Sequence, residues 1–256
     1  MKKFLYTLTI ALTVISLPGC KTTNQSSENK DNNQDMKTLI IKDLDKSASE
    51  KMELTDIVNV LDKEKIDYQP IDIVNWKAFP YQPQVSFRIA WSSETNEIFL
   101  QYKVKENGIR GTYGQDKGAL PYKDDCVEFF FSPGADSCYY NLELNCIGYG
   151  TLACHRPDAE TVRYGDEVLS KIRRASSLGN EVIGMKEGEY EWTLVAAIPI
   201  EVYGLDAKSL KGAQMTANFY KCGDDTAVPH FLSWNPIPIE KPSFHRPDHF
   251  GKIIFE

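Results

Sequence analysis

The stretch Y-K-D-D-C-V-E-F-F-F-S, residues 122–132, decides the fold. It is aromatic and apolar enough for a central strand, yet a glutamate stands in its middle. Side chains alternate across a strand. Val127, Phe129 and Phe131 therefore share one face, and Cys126, Glu128 and Phe130 share the other. A carboxylate buried without a partner is strongly destabilising, so Glu128 is expected on a wetted concave surface where a ligand can reach it. The next run, residues 139–146, repeats the pattern. Tyr140, Leu142, Leu144 and Cys146 form an apolar face, and Tyr139, Asn141, Glu143 and Asn145 a polar one. S-P-G-A-D between the runs reads as a hairpin connection. One face of the pair is core. The other sets carboxylates and carboxamides beside aromatic rings, which suits a neutral polyhydroxy ligand.

The same alternation recurs outward from this hairpin. Val85, Phe87, Ile89 and Trp91 alternate strictly, as do Ile98, Leu100, Tyr102 and Val104, with the turn cluster S-S-E-T-N between them. Residues 190–199 form a further strand, with Trp192, Leu194, Ala196 and Ile198 on one face and Pro199 ending its ladder. Trp91 and Trp192 are expected in the core; Trp234, beside two prolines, is expected to pack as well, though of the tryptophans it is the nearest to partial exposure. Residues 38–44, 214–220 and 251–255 read as strands. Ser47 with Glu50 makes a capping-box pattern, and Leu54, Ile57, Val58 and Leu61 recur at helical spacing. Residues 156–180 read as polar and irregular. Short strands with turns and one short N-terminal helix indicate an all-β β-sandwich.

The chain has 256 residues, a net charge of -7 and 42% hydrophobic residues. That balance supports a globular core and gives no basic footprint for nucleic acid. Lys2 and Lys3 precede an apolar run, residues 4–17, too short to span a bilayer. Leu17-Pro18-Gly19-Cys20 then resembles a bacterial lipobox, so residues 1–19 are read as a lipoprotein signal peptide and Cys20 as the acylated N-terminus. Residues 20–37 carry almost no apolar side chain and read as a disordered tether. Residues 38–256 form one domain of about 220 residues. Among the remaining cysteines, Cys126 and Cys146 fall on opposite faces of the hairpin, so no bridge between them is expected. The cysteines read as small buried apolar residues.

Other motifs carry little. G-Y-G-T-L-A, residues 148–153, matches a dinucleotide fingerprint, but no helix pattern follows it. His245 and His249 have a metal-ligand spacing, but Pro247 stands between them. No metal site is expected. H-R-P-D occurs twice, at 155–158 and 245–248, and reads as two turns of similar chemistry.

From about residue 71 to the end, the chain resembles the family 9 carbohydrate-binding modules, in particular their lipoprotein relatives in Bacteroidetes. The resemblance is carried by D-D-C-V-E-F-F-F-S-P, Y-Y-N-L-E-L-N-C-I-G, W-T-L-V-A-A-I-P, A-N-F-Y-K-C, F-L-S-W-N-P and S-F-H-R-P-D-H-F-G-K-I-I-F. It implies a sandwich of jelly-roll type. It also implies a cleft in which two aromatic rings stack on a sugar. The two stacking positions fall on Tyr122 and Phe244, and the hydroxyl-binding glutamate falls on Glu128. A family arginine falls on Glu143, which reverses its charge. Asn145 and Asn218 match amide positions, and His245 and Arg246 follow the second ring. The family implies structural calcium at most, and no aspartate-rich loop here has clear ligand spacing. No other cofactor is expected.

The resemblance implies non-catalytic glycan binding by an outer-membrane lipoprotein of the cell envelope, supporting polysaccharide capture or catabolism. The expected partners are an oligosaccharide or polysaccharide and, through the lipid, the membrane. Two alternatives stand beside it. One is a jelly-roll glycoside hydrolase or lyase using Glu128 and Glu143, with Asp124 and Asp125 as further carboxylates; hydrolysis needs two carboxyls about 5–9.5 Å apart. The other is a structural envelope protein with no small ligand. If the cleft residues face solvent, replacing them should leave thermal stability nearly unchanged.

Overall fold

The computed structural model describes residues 36–44, 52–134 and 138–256. The expected signal peptide, the tether up to residue 35 and the Ser47–Glu50 pair lie outside the described residues.

Two sheets form the body. The smaller has strand order β10-β11-β5-β4-β2: β10 is Arg173–Ser176, β11 Gly184–Pro199, β5 Glu97–Gly111, β4 Gln84–Ser92 and β2 Gln69–Pro70. The larger runs β1-β14-β12-β6-β7-β8-β9. Here β1 is Thr38–Ile41, β14 Gly251–Phe255, β12 Gln214–Gly223, β6 Cys126–Ser132, β7 Tyr139–Asn145, β8 Gly150–His155 and β9 Val162–Arg163. β13 (His230–Ser233) pairs the C-terminal half of β12 and carries β3 (Ile73–Val74) on its other edge. Only the β1–β14 pair is parallel among the described ladders.

Alternation then builds the core. Val127, Phe129 and Phe131 of β6, Tyr140, Leu142 and Leu144 of β7 and Phe219 of β12 face inward. They meet Phe87, Trp91, Leu100, Tyr102, Trp192 and Leu194 of the smaller sheet. Phe87 and Phe219 stack across the gap with centroids 3.6 Å apart. The Tyr102 hydroxyl donates across it to the Glu128 carbonyl, at 2.7 Å. The smaller sheet's outer face, with Ala90, Phe99, Val195 and Ala197, is covered by Ile57 and Leu61 of α1 (Leu54–Lys63). Two four-residue helices follow, α2 (Asp166–Leu169) and α3 (Ala207–Leu210).

The fold is a β-sandwich, with α1 as expected. Two details complete the sequence reading and a third differs from it. Trp234 is 2% exposed, because it packs edge-on against both rings of the Phe87–Phe219 stack. The fingerprint-like G-Y-G-T-L-A enters strand β8; a Cβ at Gly150 would meet the Glu143 carbonyl oxygen at 1.9 Å, so β8 approaches β7 closely there. The region 156–180 holds β9, α2 and β10. Cys126, Cys146, Cys154 and Cys222 are buried thiols.

One polar cluster ties the sheets together. Lys221 of β12 is fully buried, with Nζ 2.8 Å from Asp125 and 2.9 Å from Glu106 of β5. Trp192 donates to the other Glu106 oxygen at 2.7 Å. Burial pushes Glu106 up to about 7 against the pull of Lys221. Burial opposes the ionised form of Asp125 too, but there the ammonium prevails and the pKa falls. Burial and the same ammonium push His230 down to about 3. Neutral His230 therefore accepts from Lys221 at 2.6 Å and donates from Nδ1 to the Val228 carbonyl. Lys221→Met should destabilise the fold by about 3–5 kcal/mol in denaturant titration, because it strands two buried carboxyls. Lys221→Met combined with Asp125→Asn should recover part of that loss.

Candidate functional site

The outer face of the larger sheet carries a cavity of about 900 Å³. Register builds its floor. Tyr220 of β12, Glu128 of β6, Glu143 of β7 and Thr151 of β8 stand in one row across four strands. Glu128, Glu143 and Thr151 border the cavity, as does Phe130 one step along β6. The walls are Tyr122, from the 3-10 turn Pro121–Lys123 that feeds β6, Phe231 of β13, and Phe244 with His245 from the segment before β14. His155 at the end of β8 and Arg163 on β9 close the far side. Beside the turn that carries Tyr122, Asp124 accepts from the backbone N–H groups of Thr112 and Tyr113 at 2.8 and 3.0 Å.

The two glutamates are buried, at 3% and 7% exposure. Glu128 accepts from the Cys222 thiol at 3.0 Å. Glu143 accepts from the Asn141 amide at 2.7 Å. The Asn141 carbonyl accepts in turn from His155 Nε2, at 2.9 Å, and His155 Nδ1 accepts from the Thr161 hydroxyl at 3.0 Å. This network assigns the neutral Nε2–H tautomer to His155. Burial, then the His245 and Arg163 charges, push His155 down to about 4. Burial, then the neighbouring Glu143 charge, hold Glu128 well above the usual carboxylate range. Burial pushes Glu143 up to about 7, partly offset by the Asn141 amide and by Arg163. Near neutral pH the pair therefore retains a proton. A protonated carboxyl both donates and accepts, so the floor can match a hydroxyl in either role.

Of the residues expected to bind ligand, Tyr122, Glu128, Glu143, Phe244 and His245 border this one cavity. Asn145, Asn218 and Arg246 do not. The Asn145 amide is fully buried, donating to the Tyr113 carbonyl and Asp124 and accepting from Tyr149 N–H. Asn218 is also fully buried and is tied to Asn235 and Phe219. Arg246 pairs with Asp248. Asp124 and Asp125 are likewise held elsewhere, by Arg110 and by Lys221. Phe244 is not a freestanding plate: it is 9% exposed and stacks on Tyr220 with centroids 4.1 Å apart. With Glu128 buried as well, the expectation of unchanged stability does not hold for these two positions.

His155, Arg163, Phe231 and Thr151 escaped the sequence reading. Alternation along residues 151–155 marks Thr151 and His155, once that run is taken as a strand. The two H-R-P-D copies meet at the rim. The His155 and His245 rings lie 4.9 Å apart, and the Tyr139 hydroxyl is hydrogen-bonded to His245 Nδ1 at 2.9 Å.

Comparison with known proteins adds to this geometry. The family model described as carbohydrate-binding family 9 matches residues 55–255. A crystal structure of a candidate carbohydrate-binding protein from Bacteroides uniformis ATCC 8492 is 41% identical. It superposes with a TM-score of 0.81, covering 87% of this chain and 100% of that one. A family 9 module from Caldicellulosiruptor kristjanssonii, solved with cellotriose, is 14% identical with a TM-score of 0.53, covering 86% of this chain and 94% of that one. No curated protein matches.

Glu143 generates a pH prediction. Its folded pKa, about 7, lies above the unfolded value of 4.5. Proton binding therefore favours the folded chain. That contribution is whole below about pH 4.5 and is lost as pH rises through 7. Glu143→Gln keeps the neutral form throughout. The variant should be more stable than the parent at pH 8, by about 1–3 kcal/mol, and indistinguishable from it at pH 4. Melting curves at the two pH values measure the difference.

Proposed function

The chain belongs to carbohydrate-binding family 9, and from that membership we propose that it captures glycans in the cavity above Glu128 without cleaving them. The observation that carries the reading is the pairing of two cross-strand carboxyls, Glu128 and Glu143, with the rings of Tyr122, Phe231 and Phe244 around one cavity. Ring faces accept the C–H side of a pyranose. Buried sugar hydroxyls need donors and acceptors, and each one left unmatched is destabilising. Glu128, Glu143, Thr151 and His155 supply both. A cavity of this size takes a small oligosaccharide or a glycan end. The neutral acid pair and the net charge of -7 favour a neutral glycan.

A hydrolase would need carboxyls on either side of the scissile bond. Glu128 and Glu143 are directly opposed cross-strand partners on the floor of the cavity, and Asp124 and Asp125 are tied elsewhere. We propose further that Cys20 carries lipid and residues 21–37 tether residues 38–256 to the outer membrane, where captured polysaccharide is passed on for catabolism.

Calorimetric titration, with an oligosaccharide identified on a glycan array, tests the cavity. Tyr122→Ala and Phe244→Ala should each weaken binding by about 1–3 kcal/mol, by analogy with base–aromatic stacking. Glu128→Gln, which replaces a neutral carboxyl, should weaken it by about 0.5–1.5 kcal/mol. Phe244→Ala should also lower the melting temperature, since its ring is largely buried. Full affinity in the Tyr122→Ala/Phe244→Ala double variant would refute the cavity as the site.

The anchor is tested by cell fractionation. Cys20→Ser should move the protein from the membrane to the soluble fraction with its fold intact, and unchanged retention in membranes would refute the lipid anchor.

A further inference from the structure

Among the described residues, two clusters converge as the ligands of a metal ion would: Glu106 with Asp125 and His230, and Cys126 with Glu128 and Cys222. The first already contains a cation, the Lys221 ammonium, at 2.8–2.9 Å from both carboxylates. The second contains none; among the described residues Glu128 makes no ion pair. From this contrast we propose that Cys126, Cys222 and Glu128 form a binding site for a thiophilic divalent cation, zinc by its chemistry, set into the floor of the cavity.

Strand geometry makes the site. Cys126 and Glu128 are two residues apart on β6 and share its outer face. Register places Cys222 of β12 directly opposite Cys126. The three ligand atoms lie within 4.8 Å of one another. Cys222 Sγ is 3.0 Å and Cys126 Sγ 3.9 Å from the same Glu128 oxygen. Zinc bonds of about 2.3 Å to sulfur and about 2.1 Å to oxygen give a tetrahedral sulfur–oxygen edge of about 3.6 Å, between the two. Small side-chain adjustments therefore suffice. All three groups are buried, which suits thiolate ligation over hydrated oxygen chemistry. Cys222 and Glu128 border the cavity, so a fourth position opens onto it, as in zinc sites that keep an exchangeable ligand. Binding forms two metal–sulfur bonds and one metal–oxygen bond, and the two thiol protons and the Glu128 carboxyl proton leave to solvent. The site needs no sugar and stands whether or not the cavity takes one.

The test uses the full chain, reduced, freed of metal by chelation and titrated with Co²⁺ in the absence of oxygen. The expected result is a single equivalent bound, with the visible bands of tetrahedral cobalt and a near-ultraviolet thiolate-to-cobalt charge-transfer band, all displaced by Zn²⁺. Cys222→Ala should halve the charge-transfer intensity and weaken Co²⁺ binding at least about 100-fold, the upper range for disturbing even an outer-shell partner. Glu128→Gln should weaken binding while keeping the charge-transfer band. Cys154→Ala, outside the cluster, should leave the titration unchanged. Absence of the charge-transfer band in the parent would overturn the proposal. So would a band and affinity that persist unaltered in both Cys222→Ala and Glu128→Gln, two variants that do not depend on whether Cys126→Ala folds.

Discussion

Every residue of β6 is buried, on both faces of its strand, and one of them is a glutamate. That constraint governs the surroundings of the site. A carboxyl held away from water must be neutralised or matched, and Glu128 accepts from the Cys222 thiol while burial and the neighbouring Glu143 favour its neutral form. Because Glu143 faces the same problem directly across the ladder, neither carboxyl ionises independently of the other. The backbone at Glu128 is fixed as well, since its carbonyl accepts from Tyr102 of the opposite sheet. The floor of the cavity is thus part of the sandwich itself, where its groups are held more firmly than loop residues would be.

The inner face solves the same problem differently. Glu106 and Asp125 are two buried acids brought together between the sheets, and Lys221 stands between them. The neighbouring residue on β12, Cys222, faces the other way, toward Glu128. Alternation along one strand therefore delivers an ammonium to one acid pair and a thiol to the other. The first pair becomes a structural bridge between sheets. The second keeps its proton and its access to the cavity. This difference separates a stabilising cluster from a binding one more clearly than residue type does, since both contain two carboxyls.

Much of this was legible from period-2 patterning. The inward rows Val127-Phe129-Phe131 and Tyr140-Leu142-Leu144 and the shared outer face of Glu128 and Glu143 need only alternation and a turn. Ring positions at Tyr122 and Phe244 came from family resemblance. What alternation could not supply was the third dimension. Asn145 shares the outer face of β7, but its amide turns into the loop at Tyr113 and Asp124. Asn218 is drawn to the Asn235 backbone across a turn that the sequence does not announce. Phe244 is packed on Tyr220, a contact between residues 24 positions apart. His155 was hidden because residues 150–155 were not read as a strand; Gly150 there serves close strand approach.

Topology also explains why the cavity lies where it does. A two-sheet sandwich has two outer faces, and here they are finished differently. The smaller sheet's outer row is small and aliphatic, with Ala90, Val195 and Ala197 beside Phe99, and an amphipathic helix lies against it. The larger sheet's outer face mixes rings with carboxyls, and no regular helical stripe matches such a surface. Individual rings from distant segments cover it instead: Trp76, Phe244 and Phe250 close over Phe130 and Tyr220. Rings brought in singly leave gaps between them. The gap above the Glu128–Glu143 row is the cavity, and the acid pair is what makes an apolar filling of that gap unfavourable.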